Sequence, residues 1–173
     1  MKKTLRVPFI VLTLACIGFL LYLFLSASLL PERVATHFAG SGQPNGWMSR
    51  SGHLLFTGLL GLGLPLFTVG LCYAIRFFPV GRISLPRREH WLAPGRREET
   101  FAYLFRHSLW MASLEVGFVA GIHYLVVQAN RAHPVNLPTT YSLGLVIAFV
   151  AAYVLARFLV PPLGTPKKDA PDA

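Results

Sequence analysis

The sequence predicts an all-α membrane protein with four transmembrane helices and a small extracytoplasmic hairpin-like loop between helices 1 and 2. Three observations predict this class. The chain has 173 residues with only 13% charged residues and a mean hydropathy of +0.53, which is too apolar for an ordinary soluble domain. Four apolar runs are each long enough to cross a bilayer. Basic residues mostly flank these runs instead of gathering on one solvated face, which argues against a nucleic-acid binder.

The four spans are predicted over residues 7–30, 54–75, 101–127 and 139–160, as one domain covering residues 1–160. The first apolar run is much longer than the core of a signal peptide, so we expect it to remain as an uncleaved span. The polar segment 161–173 is expected to be a disordered cytoplasmic tail. Cys16 and Cys72 lie at different depths of their spans, which predicts buried thiols and no disulfide.

The longest polar connection between two spans runs from Leu30 to Arg50 and is expected to form the hairpin-like loop. Arg33 to Phe38 can be extended, Gly40 to Gly46 is rich in turn-forming residues, and Gly46 to Ser49 can run back. Within it, the tripeptide Pro44-Asn45-Gly46 is the strongest turn signal, because proline presets φ and the other two residues tolerate left-handed backbone.

The basic residues predict the orientation of the spans. One side holds thirteen of the sixteen lysines and arginines: Lys2, Lys3, Arg6, Arg76, Arg82, Arg87, Arg88, Arg96, Arg97, Arg106, Arg157, Lys167 and Lys168. The other side holds Arg33, Arg50 and Arg131. Basic residues are enriched in cytoplasmic loops. We therefore expect both termini to be cytoplasmic and the hairpin-like loop to face outward.

The loop also resembles a known family signature. The signature comprises Leu30-Pro31, His37-Phe38, Gly42-Gln43-Pro44-Asn45-Gly46-Trp47 and Arg50. It is similar to that of a bacterial membrane domain of unknown function, also found at the N-terminus of sporulation-delaying-protein immunity proteins. A second stretch, with Trp91, Pro94, Arg96 and Arg97, resembles a cytoplasmic signature of some members. The resemblance implies a multi-span protein of the bacterial cytoplasmic (inner) membrane.

Two positions depart from the family pattern. Ala39 stands where the family often has asparagine, and Gly95 where glutamate is usual. The first departure removes a polar group from the loop. Within the family, immunity to a toxic peptide, or sensing of such a peptide, is known only for a distant branch of larger proteins. The resemblance therefore implies an immunity-like role only by analogy.

The candidate recognition loop consists of eight residues: Pro31, His37, Phe38, Gly42, Pro44, Asn45, Gly46 and Trp47. His37 is a candidate to sense pH, bind a metal or contact a ligand, but no Cys, Asp or paired Glu completes a metal-ligand spacing. A hydrogen bond that fixes the loop is the favoured role for His37. Trp47 either anchors the loop at the membrane interface, the commoner role at that depth, or contacts a partner.

Two further groups of candidate residues lie inside the spans. Gly58, Gly61 and Gly70 predict close helix packing, and Pro65 predicts a kink that frees the carbonyl near Gly61. Glu115 is the only acidic residue inside a span. We expect a protonated Glu115 to donate to that carbonyl, with proton or ion handling as the alternative.

No enzyme, cofactor or metal signature is present in the sequence, and we expect the protein not to be an enzyme. The expected partners are the lipid bilayer and an extracytoplasmic peptide or envelope protein bound by the loop. The alternative function is an accessory subunit that packs on a larger membrane complex through Gly58, Gly61 and Gly70. A transporter or intramembrane enzyme would rest on Glu115 alone. Whether the chain forms a homo-oligomer or a hetero-oligomer is left open.

Overall fold

A computed structural model of the chain describes residues 2–85 and 87–159. The elements in chain order are α1 (Lys2–Ser26), β1 (Arg33–Phe38), β2 (Pro44–Ser49), α2 (Arg50–Ala74), α3 (Arg88–Trp91), α4 (Arg97–Arg131) and α5 (Thr139–Leu159). The predicted tail, 161–173, lies outside the described residues. We call the end of the bundle that carries β1 and β2 the hairpin end.

Four helices, α1, α2, α4 and α5, are long and apolar enough to cross a membrane. Three of them extend beyond the predicted spans, and α1 begins at Lys2 and ends at Ser26, earlier than predicted at both ends. Helix α2 begins at Arg50, because the Ser49 hydroxyl caps it by accepting the Gly52 backbone N–H at 3.1 Å. Helix α4 runs for 35 residues, so polar residues before and after the apolar run continue the same helix.

Helix α4 is central and packs against α1, α2 and α5. Its contact with α1 contains a buried apolar cluster of Phe19, Leu23, Val116 and Val119. Away from α4, the large apolar side chains of α1, α2 and α5 are mostly exposed. This distribution is what helices that contact lipid require, because lipid tails are as apolar as the side chains that face them.

The predicted glycine packing occurs between α1 and α2 of the same chain. A Cβ atom added at Gly61 would lie 2.4 Å from the ring of Phe19, and one at Gly58 would lie 3.4 Å from Leu23. Gly70 has open space around it. Pro65 is buried within α2, which continues through it.

The hairpin is a two-stranded antiparallel sheet with its turn at Ala39 to Gln43. The Ala39 N–H donates to the Gln43 carbonyl, and the Gly42 N–H donates to the Ala39 carbonyl, each at 2.8 Å. The prediction of a turn at Pro44-Asn45-Gly46 is therefore wrong. Gly42 takes the left-handed position at φ +86°, and Pro44 opens β2, where a missing N–H is tolerated.

The opposite end of the bundle is capped by α3 and the segments around it. Leu92 packs with Ile83 and Phe101, and the Thr100 hydroxyl donates to the Trp91 carbonyl at 2.8 Å. Helix α4 begins at Arg97, after Pro94. Pro94 lies in a turn, in which the Ala93 carbonyl accepts the backbone N–H groups of the next two arginines at 2.9 and 3.0 Å.

The basic residues of this cap hold neighbouring segments together. Arg96 donates to His90. Arg97 donates to the Arg76 carbonyl at 3.1 Å, and its guanidinium lies 5.4 Å from the centre of the Phe101 ring. Of the predicted buried thiols, Cys16 and Cys72 are both free but only partly buried.

Candidate functional site

The side chain of Asn130 on α4 makes two hydrogen bonds to one residue of β1. The Asn130 side-chain oxygen accepts the Ala35 N–H at 2.8 Å, and its amide nitrogen donates to the Ala35 carbonyl at 2.8 Å. The same nitrogen donates to the Val126 carbonyl one turn earlier at 2.8 Å. Asn130 and Ala35 are both buried. Asn130 therefore closes one edge of β1 in the way that a neighbouring strand would.

The turn of the hairpin is fixed by the connection between α4 and α5. The Leu137 N–H donates to the Gly42 carbonyl at 2.9 Å, and the Thr139 hydroxyl donates to the Gly40 carbonyl at 2.7 Å. A Cβ atom on Gly42 would lie 2.5 Å from the Asn136 side-chain oxygen. Glycine is required at position 42 both for its positive φ and for this close approach.

His37 makes a hydrogen bond within the hairpin, as predicted. Its Nδ1 lies within hydrogen-bond distance of the Asn45 side-chain oxygen, which can only accept, so Nδ1 carries the proton. Gly46 faces His37 across the strands, and a Cβ atom there would lie 2.8 Å from the His37 Cβ. The residue types at His37, Asn45 and Gly46 are therefore explained by contacts within the hairpin. Their role in recognition stays a prediction.

Trp47 is the large aromatic residue that the hairpin leaves accessible. It pairs with Ala35 across the strands, and 41% of its surface is exposed. The Arg33 guanidinium lies 5.5 Å from the centre of the indole ring, a distance that permits a cation–π interaction. Among the other signature residues, Phe38 is half-buried, and the Pro31 carbonyl accepts from the Arg50 side chain at 3.4 Å.

A buried polar chain lies beneath the hairpin and joins three helices. The Ser26 hydroxyl is 2.7 Å from His123 Nε2, His123 Nδ1 is 3.1 Å from His53 Nε2, and His53 Nδ1 is 3.5 Å from the Thr57 hydroxyl. All four side chains are buried, and His123 has no exposed surface. The two imidazoles stack with their ring centres 5.2 Å apart.

Glu115 contacts α2 at a different place from the one predicted. Its Oε1 accepts from the Thr68 hydroxyl at 2.9 Å. The space next to Gly61 is filled by the Phe19 ring. The expected hydrogen bond to the carbonyl near Gly61 is therefore wrong. Oε2 of Glu115 is buried and has no hydrogen-bond partner among the described residues.

A half-open groove of about 370 Å³ runs beside the hairpin between α4, the following connection and α5. Its lining is mainly apolar, with polar groups from Gln128, Asn136 and Tyr141. Within residues 2–85 and 87–159, no group of three or more His, Cys, Asp or Glu side chains is placed to hold a metal.

Sequence reasoning missed four residues that hold the hairpin end together: Ser26, His53, His123 and Asn130. One signal was available: by the predicted spans, His53 and His123 both lie near the hairpin side of their helices. No local pattern points to Asn130, whose partner lies 95 positions away in the chain.

Comparison with known proteins identifies one region of similarity. The model of a family described as a domain of unknown function, DUF1648, matches residues 10–61. The matched region covers most of α1, the whole hairpin and the first half of α2. No curated protein and no solved structure gives a significant match. The part of the chain that forms the hairpin and its two flanking helices is thus similar to a domain of unknown function.

Proposed function

We propose that the protein is a receptor-like, immunity-like protein of the bacterial cytoplasmic membrane whose hairpin binds an extracytoplasmic peptide or an extended segment of an envelope protein. The observation that supports this proposal most directly is the asymmetry of the hairpin. Asn130 closes the edge of β1, whereas β2 has no second strand neighbour within the described part of the chain. An open strand edge binds extended peptides through backbone hydrogen bonds.

The side chains around this edge supply the means of selecting a peptide. Trp47 projects from β2 with 41% of its surface exposed, and buried tryptophan and arginine side chains commonly dominate binding energy at interfaces. The hairpin end carries Arg33 in β1, Arg50 at the start of α2 and Arg131 at the end of α4, against one acid, Glu32. This excess of positive charge favours a peptide with acidic side chains or a free carboxylate.

The attachment of the hairpin also supports binding. Asn130 holds β1, and Leu137 and Thr139 hold the turn. A strand that is already fixed loses little conformational freedom when a peptide adds to it, so less of the interaction energy is spent on ordering.

The charge distribution supports the proposed orientation. By the predicted spans, thirteen lysines and arginines are assigned to the side opposite the hairpin and three to the hairpin side. This bias favours cytoplasmic termini and a hairpin that faces the extracytoplasmic space.

In-cell photocrosslinking tests the proposal. A photoreactive amino acid at Gln43, which is exposed beside β2, is expected to capture a peptide or an envelope protein that mass spectrometry identifies. The matched control is the same probe at Leu66 on α2, which is 70% exposed on the apolar surface and is expected not to capture it. Capture of nothing beyond the protein itself at Gln43 would contradict a recognition role.

A second set of variants tests the binding mode. Trp47→Ala is expected to abolish capture, whereas Phe67→Ala, which removes an aromatic ring of 67% exposure from the apolar surface, is expected to leave it intact. If the captured segment adds to β2 as a strand, methylation of the alternate backbone N–H groups that face β2 should abolish binding, whereas methylation of the other alternate set should be tolerated. Binding that survives methylation of each set in turn would refute strand addition.

The alternative function, an accessory subunit that packs through glycines of α2, has less support. Phe19 and Leu23 of α1 already occupy the space next to Gly61 and Gly58. Of the three glycines, only Gly70 has open space, and one small residue does not make a helix-packing surface.

A further inference from the structure

The buried chain of Ser26, His123, His53 and Thr57 has a hydrogen-bond pattern that fits two opposite proton arrangements. In one, Thr57 donates to His53, His53 Nε2 donates to His123, His123 Nε2 donates to Ser26, and Ser26 donates to the Leu23 carbonyl at 3.2 Å. In the other, the first three bonds are reversed. A neutral imidazole has one donor and one acceptor nitrogen, so both arrangements pair every ring nitrogen.

The same geometry also accommodates one additional proton, and no more than one. With His123 donating from both nitrogens, His53 still accepts through Nε2 and donates from Nδ1 to Thr57. A second proton would place two N–H groups head to head at the 3.1 Å contact between the rings and put like charges side by side. The pair therefore acts as a unit with a capacity of one proton.

No described charged group faces this pair from the elements packed around it. Helix α1 contributes Ser26 and the ring of Tyr22, whose centre is 5.3 Å from that of His123. Helix α2 contributes Thr57. The nearest acid along α4, Glu115, is eight residues away from His123, about 12 Å of helical rise. A proton on the pair would thus be a buried positive charge without a counter-charge, which strains the surrounding contacts.

A buried apolar cluster separates the histidine pair from Glu115. Phe19, Val116 and Val119 are buried between the level of His123 and that of Glu115. These side chains carry no group that can relay a proton. The His53–His123 pair and the Glu115–Thr68 contact are therefore two separate polar sites.

The position of the pair connects it to the hairpin. Ser26 is the last residue of α1, just before the chain enters the hairpin, and His53 lies in the first turn of α2, just after the chain leaves it. His123 lies two turns before Asn130, which holds β1. The chain of hydrogen bonds thus joins the three helix ends on which the hairpin rests.

We propose that His53 and His123 form a proton-binding site that takes up one proton and, when filled, loosens the attachment of the hairpin to the three helices. Neither proton uptake by the pair nor loosening of the hairpin requires a bound peptide. The consequence, that acid weakens binding of a peptide to β2, rests on the proposed function. As the pH falls, we expect the hairpin to become more mobile; as the pH rises, we expect it to be fixed again.

Nitrogen-15 NMR of labelled histidines in the full chain in lipid nanodiscs tests the proton capacity. Between about pH 7 and about pH 3, we expect signals of one excess proton shared by His53 and His123. Independent titration of the two buried rings, with two protons bound, would overturn the proposal. So would a pair that remains neutral throughout this range.

Amide hydrogen exchange of residues 33–49, corrected for the intrinsic effect of pH, tests the loosening without any peptide present. We expect about tenfold faster exchange at acid pH in the wild type. This increase should be absent in His53→Gln and in His123→Gln, because glutamine hydrogen-bonds but does not titrate. The matched control, His37→Gln, should retain it. The proposal would be overturned if the acid-induced increase in exchange were lost in His37→Gln. It would also be overturned if the increase persisted in both His53→Gln and His123→Gln.

Zinc titration provides a further discrimination. The proposal expects no zinc binding that depends on His53 and His123, since the structure directs one ring nitrogen at the other. Tight zinc binding that is lost in His53→Gln would overturn the proposal in favour of a metal site. None of these experiments uses a peptide. Their outcome therefore does not depend on whether a ligand is captured at Gln43, and the two proposals can fail separately.

Discussion

Asn130 shows how one side chain can fix a hairpin to a helical bundle. A buried side-chain amide can satisfy both backbone groups of one strand residue, because it carries a donor and an acceptor at the right separation. At Ala35 this replaces the hydrogen bonds that a third strand would supply. The result is a two-stranded sheet that is stable on a helical support, although an isolated hairpin is marginal in water.

We predict that Asn130→Ala detaches β1 from α4. Loss of three hydrogen bonds, with two backbone groups of Ala35 left unpaired, should lower the free energy of unfolding of the hairpin end by about 2–4 kcal/mol. Hydrogen exchange at the Ala35 amide measures this loss directly. The matched control is Gln128→Ala, an exposed position on the same helix. Equal exchange in the two variants would show that Asn130 does not hold the hairpin.

Glu115 gives a second test at the scale of one residue. The Thr68 hydroxyl donates to Oε1 of Glu115 at 2.9 Å. A glutamine at this position has a side-chain oxygen that can accept the same hydrogen bond. We therefore predict that Glu115→Gln folds like the wild type and retains capture at the hairpin, measured by thermal unfolding and by photocrosslinking. A variant that is well folded but no longer active in capture would point to proton or ion handling at this carboxyl.

Between elements, the spacing of α1 and α2 depends on Gly61. A methyl group at this position would lie 2.4 Å from the Phe19 ring, which is buried in the apolar cluster. We predict that Gly61→Ala destabilises the bundle by about 1–3 kcal/mol, the usual cost of overpacking. The control is Gly63→Ala, two positions away on the same helix with open space around it. Thermal unfolding in detergent should separate the two variants; equal stability would contradict the packing.

The hairpin as an element depends on Gly42 in the same way. We predict that Gly42→Ala displaces the turn from the connection before α5, because its φ of +86° disfavours a side chain and the Cβ meets Asn136 and Leu137. Gly40→Ala is the control, since its Cβ would meet nothing within 4 Å. Exchange at the Leu137 amide measures the effect. An unchanged Leu137 amide in Gly42→Ala would show that the turn is not fixed there.

At the scale of the whole molecule, the proposed orientation predicts the result of reporter fusions. Alkaline phosphatase inserted at exposed Gly40 should be active, because the hairpin end is proposed to face the extracytoplasmic space, and a fluorescent protein at the C-terminus should be bright. The control is a phosphatase insertion at Gly81, in the cap at the opposite end, which should be inactive. The reverse pattern of activities would contradict the orientation.

Much of the architecture follows from the sequence without tertiary information. Apolar runs of sufficient length determine the four long helices, because in lipid every backbone group must be paired within the segment. The extended segment Arg33–Phe38 was also predicted with its bounds. The turn was predicted at the wrong residues, because Pro44 is equally acceptable in a turn and as the first residue of a strand. The close approach of Gly42 to Asn136 and Leu137, which the sequence does not reveal, fixes the turn at Ala39 to Gln43.

What only the tertiary structure decided is which polar residues meet. Ser26, His53 and His123 come from three helices, and Asn130 reaches Ala35 across 95 positions of the chain. A local pattern specifies whether a segment is a helix and which side is apolar, but it carries no information on how far neighbouring helices rotate or shift along their axes. Those two quantities are set by side-chain packing, such as Phe19 against Gly61, and they decide which buried polar groups become partners.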